Sequence, residues 1–319
     1  MVFIVNPKFS IIIPNWNGAA FLRRCIGATV FSAQNTGLPH EILLIDDAST
    51  DNSAEEIVRN WPQVKLVKNT QNLGFGKTIN KGAHLATGDL LVFLNNDLVP
   101  SENMVEELLA PLLDNPQLFG VSGKTIEWYT GAPNHVNMMA RIDNGVFRLT
   151  YEDSPSLTET MFLQGGSCAV RRDVFLDLGG FNQLFHPGYW EDYDISYFAL
   201  KCGWQLAYNP RALGSHLGQG SMKRAYGAST VERFRARNRF LFEWLNFSDP
   251  ALVKTTTRHL PTLLAKAIIS ANKSVYEGFF EAIGKIERVK QVRLTRAKKW
   301  KLSDREVFEP FKARGIPSL

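Results

Sequence analysis

The sequence predicts an α/β protein with a mostly parallel central sheet flanked by helices. Four short apolar runs are typical of strands buried on both faces, and they end at Ile13, Ile45, Val67 and Leu94. Amphipathic segments of about a dozen residues separate these runs, which is the pattern of right-handed βαβ units. Polar side chains follow three of the four runs, so we expect them to meet at one edge of the sheet.

The central run of this pattern, Leu90–Leu94, ends in Asn95, Asn96 and Asp97. Ligands of open parallel sheets bind just beyond the carboxyl ends of the strands. Oxygen donors there suit a hard divalent cation, so the segment indicates a site for Mg2+ or Mn2+. A polar turn followed by a helix N-cap explains the same residues, and this segment alone leaves both interpretations open.

Polar residues also follow the first two strands. The first is followed by Pro14-Asn15-Trp16-Asn17, in which we expect Asn17 to cap the next helix. The second ends at Asp46 and Asp47, whose carboxylates can accept hydrogen bonds from a nucleobase or from ribose hydroxyls. Helix capping is the alternative role for these two acids, and we expect one of them to serve each purpose.

The glycines of Gly74-Phe-Gly-Lys77 resemble a phosphate-binding loop only superficially. A P-loop requires glycine where Gln71 stands, and a dinucleotide fingerprint requires glycine where Ile79 stands. A helix entry that needs flexible backbone and a direct ligand contact explain the segment about equally well.

A second acidic cluster, Glu191, Asp192 and Asp194, stands at the start of a predicted helix. The helix macrodipole favours anions there by up to about 1 kcal/mol, which is the structural explanation. The cluster also follows an aromatic and turn-rich stretch, Phe181–Trp190, that is typical of a binding loop. A carboxylate against aromatic surface can have its pKa raised towards the working range of a general base.

Beyond residue 118 the pattern changes. Short strands at Val146–Thr150 and Met161–Val170 predict an antiparallel extension of the same sheet, and Leu260–Ile283 predicts a helix with an apolar stripe. His216 lies in the glycine-rich segment Gly214–Ser221; a lone histidine there is a metal ligand only if another residue places a cation beside it. We predict a catalytic domain over residues 1–228 and a basic helical extension over residues 229–319.

Charge is distributed unevenly along the chain. Residues 251–319 carry 15 Lys and Arg against 6 Asp and Glu, whereas the rest of the chain carries 21 against 25. This asymmetry predicts an anionic membrane surface as a partner, and no sequence motif supports nucleic acid instead. The N-terminus has no signal-peptide pattern, no apolar stretch is long enough to span a bilayer, and the three widely spaced cysteines fit a reducing compartment. We therefore expect a cytoplasmic protein whose basic helices either bind the inner face of the plasma membrane or only pack, with their cationic faces in solvent.

Six segments together resemble the family 2 glycosyltransferases of the GT-A fold, especially the bacterial polysaccharide and rhamnosyl-type enzymes. The resemblance covers about residues 8–245, and the order and spacing of the segments carry it more than any one of them. The segments are Ser10–Asn17, Leu44–Ser53, Asn72–Gly76, Gly88–Asp97, Gly165–Asp173 and Trp190–Asp192.

The resemblance implies an inverting transfer from a UDP or dTDP sugar to a hydroxyl of a glycan or lipid-linked saccharide, with Mg2+ or Mn2+ as cofactor. It implies that Asp192 is the general base, that Glu191 orients or binds the acceptor, and that Asp97 and His216 bind the metal. The residues it implies for the donor are Pro14, Asn15, Asn17, Asp47, Gly74, Lys77, Asn95, Asn96, Gly166 and Ser167.

One position departs from the family pattern. The metal-binding motif often has two acids, and Asn95 occupies the place of the first. A neutral amide binds a divalent cation more weakly than a carboxylate, so metal binding would depend more on the donor phosphates and His216. Two other functions stay open on the sequence: a sugar-nucleotide or glycan-binding protein without turnover, which Asn95 favours, and a sugar-nucleotide nucleotidyltransferase, whose glycine-rich phosphate loop is absent after the first strand.

Overall fold

The computed structural model describes residues 7–143, 146–218 and 225–314, with side chains described as far as residue 311. The strands are β1 Phe9–Asn15, β2 His40–Asp46, β3 Val64–Lys68, β4 Leu90–Leu94, β5 Leu98–Pro100, β6 Leu118–Glu127, β7 Pro133–His135, β8 Asn137–Asp143, β9 Val146–Glu152, β10 Thr158–Glu159, β11 Ser167–Arg171 and β12 Gln205–His216. The helices are α1 Ala19–Asn35, α2 Ser53–Asn60, α3 Phe75–Leu85, α4 Met104–Asp114, α5 Arg172–Asp177, α6 Glu191–Lys201, α7 Ala228–Asn246, α8 Pro250–Ile269, α9 Lys273–Ile283, α10 Ile286–Ala297 and α11 Asp304–Phe308.

The large sheet has the strand order β10-β12-β6-β11-β4-β1-β2-β3. Strands β4, β1, β2 and β3 pair in parallel, as the alternating pattern predicts. Strand β11 runs antiparallel between β4 and β6, so the predicted antiparallel extension begins there. Because β1, β2 and β4 are parallel neighbours, their carboxyl ends lie side by side.

Both faces of the sheet are buried. Along β1, Ile11 and Ile13 pack into one core cluster while Ile12 packs into the other, on the opposite face. The second of these clusters also contains Phe242 of α7 and Phe308 of α11, so the carboxyl-terminal helices pack on the same core as the sheet. The division between residues 228 and 229 stays a prediction.

Three sequence-based expectations about strands and helix caps are wrong. Strands β8 and β9, which include Val146–Thr150, form a separate hairpin, because their apolar side chains pack towards Phe242. The second predicted strand begins only at Ser167. Asn17 does not cap α1, since its Oδ1 accepts a hydrogen bond from the backbone N–H of Thr50 at 2.8 Å.

The helix predicted over Leu260–Ile283 is two helices, α8 and α9. Ala271 between them has a φ of 53°, which no α-helix accommodates. The side chain of Asn272 then accepts a hydrogen bond from the backbone N–H of Val275 and caps α9. None of the described helices is long and apolar enough to cross a membrane.

Candidate active site

A cleft of about 960 Å3 opens beyond the carboxyl ends of β1, β2 and β4. We call the residues that follow these three strands the strand-end wall. The opposite side, which we call the helix wall, consists of residues 185–193 with the adjoining parts of α7 and α9. Twelve of the fourteen residues singled out from the sequence line this cleft: Pro14, Asn15, Asp47, Gly74, Asn95, Asn96, Asp97, Gly166, Ser167, Glu191, Asp192 and His216.

The other two, Asn17 and Lys77, are not among the residues that line the cleft. Lys77 is exposed on the first turn of α3, and Asn17 holds the neighbouring loop through Thr50. A direct contact of either residue with a ligand stays a prediction. Residues 219–221 of the predicted histidine loop lie outside the described residues.

The strand-end wall is fixed by a chain of buried amides. The Asn96 side chain donates to Asn15 Oδ1 at 2.7 Å, and the Asn15 side chain donates to Asp46 Oδ1 at 2.9 Å. Asn96 is 9 % exposed and the other two residues less, so these bonds lie in a region of low dielectric where they are strong. Asn15 and Asn96 therefore join the ends of three strands as well as lining the cleft.

Asp47 is the carboxylate that shapes the entry to α3. Its two oxygens accept hydrogen bonds from the backbone N–H groups of Leu73 and Gly74 and from the side chain of Asn69, at 2.8 to 2.9 Å. Gly74 has a φ of 77°, and a Cβ there would lie 2.8 Å from the carbonyl oxygen of Pro187. The glycine is thus required by both conformation and close approach.

Asp97 and His216 meet because β5 and β12 pair antiparallel, with Leu98 opposite His216. His216 Nε2 lies 3.2 Å from Asp97 Oδ1, and Asp97 is only 7 % exposed. A carboxylate oxygen beside an imidazole nitrogen is a donor set that fits a divalent cation with positions left for other ligands. Within the described residues, no group of three or more His, Cys, Asp or Glu side chains could hold a metal ion.

His135 is a cleft residue that the sequence analysis did not identify. It lies on β7, and its Nδ1 is 3.2 Å from the Thr125 hydroxyl. Burial, followed by the neighbouring His216, lowers the pKa of His135 to about 4. The imidazole is therefore neutral at physiological pH. No sequence signal distinguishes this histidine from an ordinary loop residue.

Asn95 connects the two walls of the cleft. Its backbone N–H donates to the Gly166 carbonyl at 3.0 Å, and a Cβ at Gly166 would overlap the Asn95 side chain. On the other side, the backbone N–H of Gly165 donates to Asp192 Oδ2 at 3.1 Å. Asp97 and Asp192, remote in sequence, therefore belong to one connected site.

The two acids at the start of α6 have perturbed pKa values. Burial raises the pKa of Asp192 to about 6, and hydrogen bonds from the backbone N–H groups of Gly165 and Tyr193 lower it in part. Burial, followed by the charge of Asp192, raises the pKa of Glu191 well above its ordinary value. Asp192 is therefore largely ionised at neutral pH, whereas the environment of Glu191 favours its protonated form.

A strained loop delivers these acids to the cleft. Tyr189 and Trp190, which directly precede them, have φ values of 72° and 75°, a region that bulky residues rarely occupy. Asn238 of α7 holds the loop, since its fully buried side-chain amide donates to the carbonyls of Phe185, Gly188 and Tyr189 at 2.8 to 3.2 Å. Sequence analysis missed Asn238, because an asparagine inside an arginine-rich helix carries no signal of burial.

Two further groups on the cleft surface lack protein partners. Glu191 Oε2 and Gln164 Nε2 are buried and make no hydrogen bond to the described residues, while Gln164 Oε1 accepts from the Ser167 hydroxyl at 2.8 Å. Arg235 and Arg239, one turn apart on α7, line the same cavity. A buried polar group without a partner is often completed by a ligand, so this side of the cleft can bind hydroxyl-bearing or anionic molecules.

Comparison with known proteins identifies the family of the chain. The family model for glycosyl transferase family 2 matches residues 10–179. The chain is 27% identical over 245 residues to N-acetylgalactosaminyltransferase 7 of Drosophila melanogaster, covering 69% of this chain and 41% of that protein. It is 28% identical over 216 residues to the O-antigen chain rhamnosyltransferase WbaN of Salmonella anatum, covering 66% of each. The chain thus spans about two fifths of the length of the first relative and two thirds of the second.

Solved structures share the fold. GalNAc-T7 with UDP, GalNAc and Mn2+ superposes with a TM-score of 0.60 at 18% identity, covering 76% of this chain and 48% of that one. The mannosyltransferase PcManGT of Pyrobaculum calidifontis, with GDP-Man and Mn2+, has a TM-score of 0.53 at 15% identity, covering 97% and 83%. TarS of S. aureus with UDP-GlcNAc has a TM-score of 0.56 at 15% identity, covering 97% and 92%. The fold is therefore GT-A, as predicted, and with more than half of its length matched by the family model the chain belongs to glycosyl transferase family 2.

Proposed function

We propose that this protein is an inverting, metal-assisted glycosyltransferase that moves a sugar from a UDP or dTDP sugar to a hydroxyl of a glycan or lipid-linked saccharide in cell-surface polysaccharide synthesis. The observation that carries this proposal is that Asp97 and Asp192 line one cleft. Asn95, Gly165 and Gly166 connect them through hydrogen bonds of 3.0 and 3.1 Å. Family membership and the nucleotides bound by the structural neighbours support a nucleotide-sugar donor.

Asp192 acts as the general base in this proposal. With a pKa of about 6, Asp192 is ionised at neutral pH. Its pKa is also closer to that of the acceptor hydroxyl than the pKa of an ordinary aspartate is. It removes the proton of the acceptor hydroxyl as that oxygen attacks the anomeric carbon. Attack opposite the diphosphate forms the new C–O bond as the old one breaks, so one displacement inverts the anomeric centre. Glu191, protonated, can donate a hydrogen bond to the acceptor.

The leaving group is a nucleoside diphosphate. Asp97 and His216 would hold Mg2+ or Mn2+, which stabilises the negative charge on a departing diphosphate. Among the described residues no third His, Cys, Asp or Glu side chain joins Asp97 and His216, so the diphosphate oxygens and water would complete the coordination of the ion. The backbone around Asp47 and Gly74 would place the base and ribose, with Asn15 and Asn96 fixing the same edge of the sheet.

We further propose that the protein works at the inner face of the plasma membrane. The support is the excess of Lys and Arg in residues 251–319, where each cation close to anionic lipid contributes about 1 kcal/mol. A lipid-linked acceptor would be held at the same surface. Mass action then favours transfer, because the enzyme and the acceptor are both concentrated at the membrane surface.

The test is turnover of UDP and dTDP sugars with Mg2+ or Mn2+, followed by release of the nucleoside diphosphate. We expect release that depends on the metal and on one donor, and a product whose anomeric configuration is opposite to that of the donor by NMR. A donor that binds in a thermal-shift screen but is never consumed, with water or any saccharide as acceptor, would show a binding protein instead. Pyrophosphate release from a nucleoside triphosphate and a sugar phosphate would show a nucleotidyltransferase.

A further inference from the structure

Five large apolar side chains are exposed on the two helices that flank the cleft-lining residues Asn272, Ser274 and Val275. They are Ile268 and Ile269 at the end of α8 and Tyr276, Phe280 and Ile283 on α9, and we call them the α8–α9 patch. The exposed fractions are 63 % and 85 % for the two α8 residues and 43 %, 53 % and 43 % for those on α9. Large apolar side chains exposed together are unusual on a soluble surface and indicate a contact with another phase or molecule.

The packing of α9 explains why these side chains face outwards. Phe279 packs edge to face against Phe240 and Trp244 of α7 at centroid distances of 5.4 and 6.2 Å. A Cβ at Gly278 would lie 2.7 Å from the backbone of Arg237, so α9 approaches α7 as closely as a helix can. The inner face of α9 is therefore closely packed against α7. Its other apolar stripe, with Tyr276 and Phe280 in ring contact at 4.9 Å, has no described element over it.

The charges around the patch are cationic or neutralised. Lys266 and Lys273, in the last turn of α8 and the first turn of α9, are exposed beside it. The acids of α9 are already paired, since Glu277 and Glu281 lie 3.3 and 3.0 Å from the guanidinium of Arg233. Apolar and aromatic side chains flanked by lysines are the composition of an interfacial membrane-binding surface.

We propose that the α8–α9 patch inserts into the interfacial region of an anionic bilayer. The apolar side chains enter the boundary between headgroups and acyl chains, while the lysines remain at the phosphates. A single amphipathic face of this kind binds the membrane without crossing it, in agreement with the lack of a spanning helix among the described residues.

The position of the patch has a consequence for the acceptor, and this step rests on the proposed function. Asn272, in the turn between α8 and α9, and Ser274 and Val275, in the first turn of α9, line the cleft. Ile269 precedes these residues by one turn and Tyr276 follows them directly. A bilayer bound at the patch therefore lies beside the helix wall. A saccharide carried by a lipid can enter the cleft there while its lipid stays in the membrane.

The experiment is co-sedimentation of the full chain with phosphatidylcholine vesicles and with vesicles that also contain phosphatidylglycerol, without donor or acceptor. We expect binding to the anionic vesicles. The variants Ile269→Asp and Phe280→Asp should each weaken it by about tenfold or more, because each loses the burial of a large apolar side chain. The matched control is Val58→Asp on α2, which is 66 % exposed and makes the same charge change away from the patch, and we expect it to bind like the wild type.

Three results would overturn the inference. The first is a wild type that does not bind anionic vesicles. The second is a Val58→Asp variant whose binding is weakened as much as that of Ile269→Asp, which would leave only net charge as the cause. The third is a dimer by light scattering that Ile269→Asp dissociates while vesicle binding is unchanged, which would assign the patch to a second copy of the chain. Sugar transfer by a wild type that does not bind vesicles would remove this inference and the proposed membrane location, and would leave the proposed sugar transfer standing.

Discussion

The two walls of the cleft are built in different ways. The strand-end wall comes from residues 14–97, and its buried amides and carboxylates satisfy one another, as in the chain Asp46–Asn15–Asn96. The helix wall contains two consecutive residues with positive φ, a buried carboxyl oxygen with no hydrogen-bond partner among the described residues, and acids with raised pKa values. One wall is preorganised by its own strands. The other is held in an unfavourable state by distant helices, which is typical of groups that take part in a reaction.

The largest effect should follow from Asp192→Asn. Loss of the general base should lower the transfer rate by roughly 10²- to 10⁴-fold. Donor affinity should be unchanged, since the strand-end wall is intact. The measurements are transfer rate and calorimetric donor binding. Asp114→Asn, at an exposed aspartate on α4, is the control and should keep full activity. An Asp192→Asn protein that transfers sugar normally would remove Asp192 from the role of base.

The substitution Arg296→Met should show that the helix wall, unlike the strand-end wall, depends on a distant helix for its stability. Arg296 of α10 forms two hydrogen bonds of 2.7 Å to the fully buried Asp194 of α6. Breaking the pair leaves a buried carboxylate without its counter-charge, although the Asn246 amide still donates to it at 2.8 Å, and the free energy of unfolding should fall by about 3 to 5 kcal/mol. Denaturant unfolding measures this change.

The exposed pair of Lys290 and Glu287 provides the control, since Lys290→Met should lower stability by less than about 1 kcal/mol. The double variant Asp194→Asn with Arg296→Met should be more stable than Arg296→Met alone, because no charge is left unpaired. If Arg296→Met unfolded at the same denaturant concentration as the wild type, the helix wall would not depend on α10.

The pH dependence of transfer should report the helix wall alone. Asp192 must be ionised to accept a proton, so kcat/KM should fall about tenfold per unit below a pH near 6 and level off above it. The residual activity of Asp192→Asn should lack this limb. The same raised pKa means that ionised Asp192 opposes folding: its contribution is most favourable below an ordinary aspartate pKa and is lost as the pH rises through about 6. A limb centred near pH 4 would contradict the buried environment of Asp192.

The smallest effect should follow from Asn95→Asp in the strand-end wall. A second carboxylate beside Asp97 adds a negative charge to the metal site. Mn2+ should therefore bind several-fold more tightly, as is expected for one added charged ligand. Calorimetric titration of the metal in the presence of a nucleoside diphosphate measures this. Asn60→Asp on α2 makes the same charge change elsewhere and should leave metal affinity unaltered. An equal gain in both variants would indicate a general electrostatic effect.

Sequence patterns predicted the strand-end wall better than the helix wall, for a physical reason. Apolar runs ending in Asp46-Asp47 and Asn95–Asp97 are local signals, and parallel pairing alone brings such ends together. The helix wall depends on contacts between remote residues, such as Asn238 with the loop at Tyr189, that no spacing encodes. The break between α8 and α9 was missed because the apolar side chains keep their helical spacing across it, whereas the helical backbone is interrupted at Ala271.

The buried carboxylate of Asp304 has a consequence for how the protein is made. It accepts hydrogen bonds from Tyr197, Lys201, Ser248 and Asp249, and Tyr197 precedes it by 107 positions. While the chain is emerging from the ribosome, Lys201 of helix α6, which is fully buried in the finished protein, lacks its carboxylate partner Asp304. We expect the catalytic acids to reach their final positions only after translation has passed residue 304, so that a nascent chain could assemble its strand-end wall early yet stay inactive until its last helices arrive.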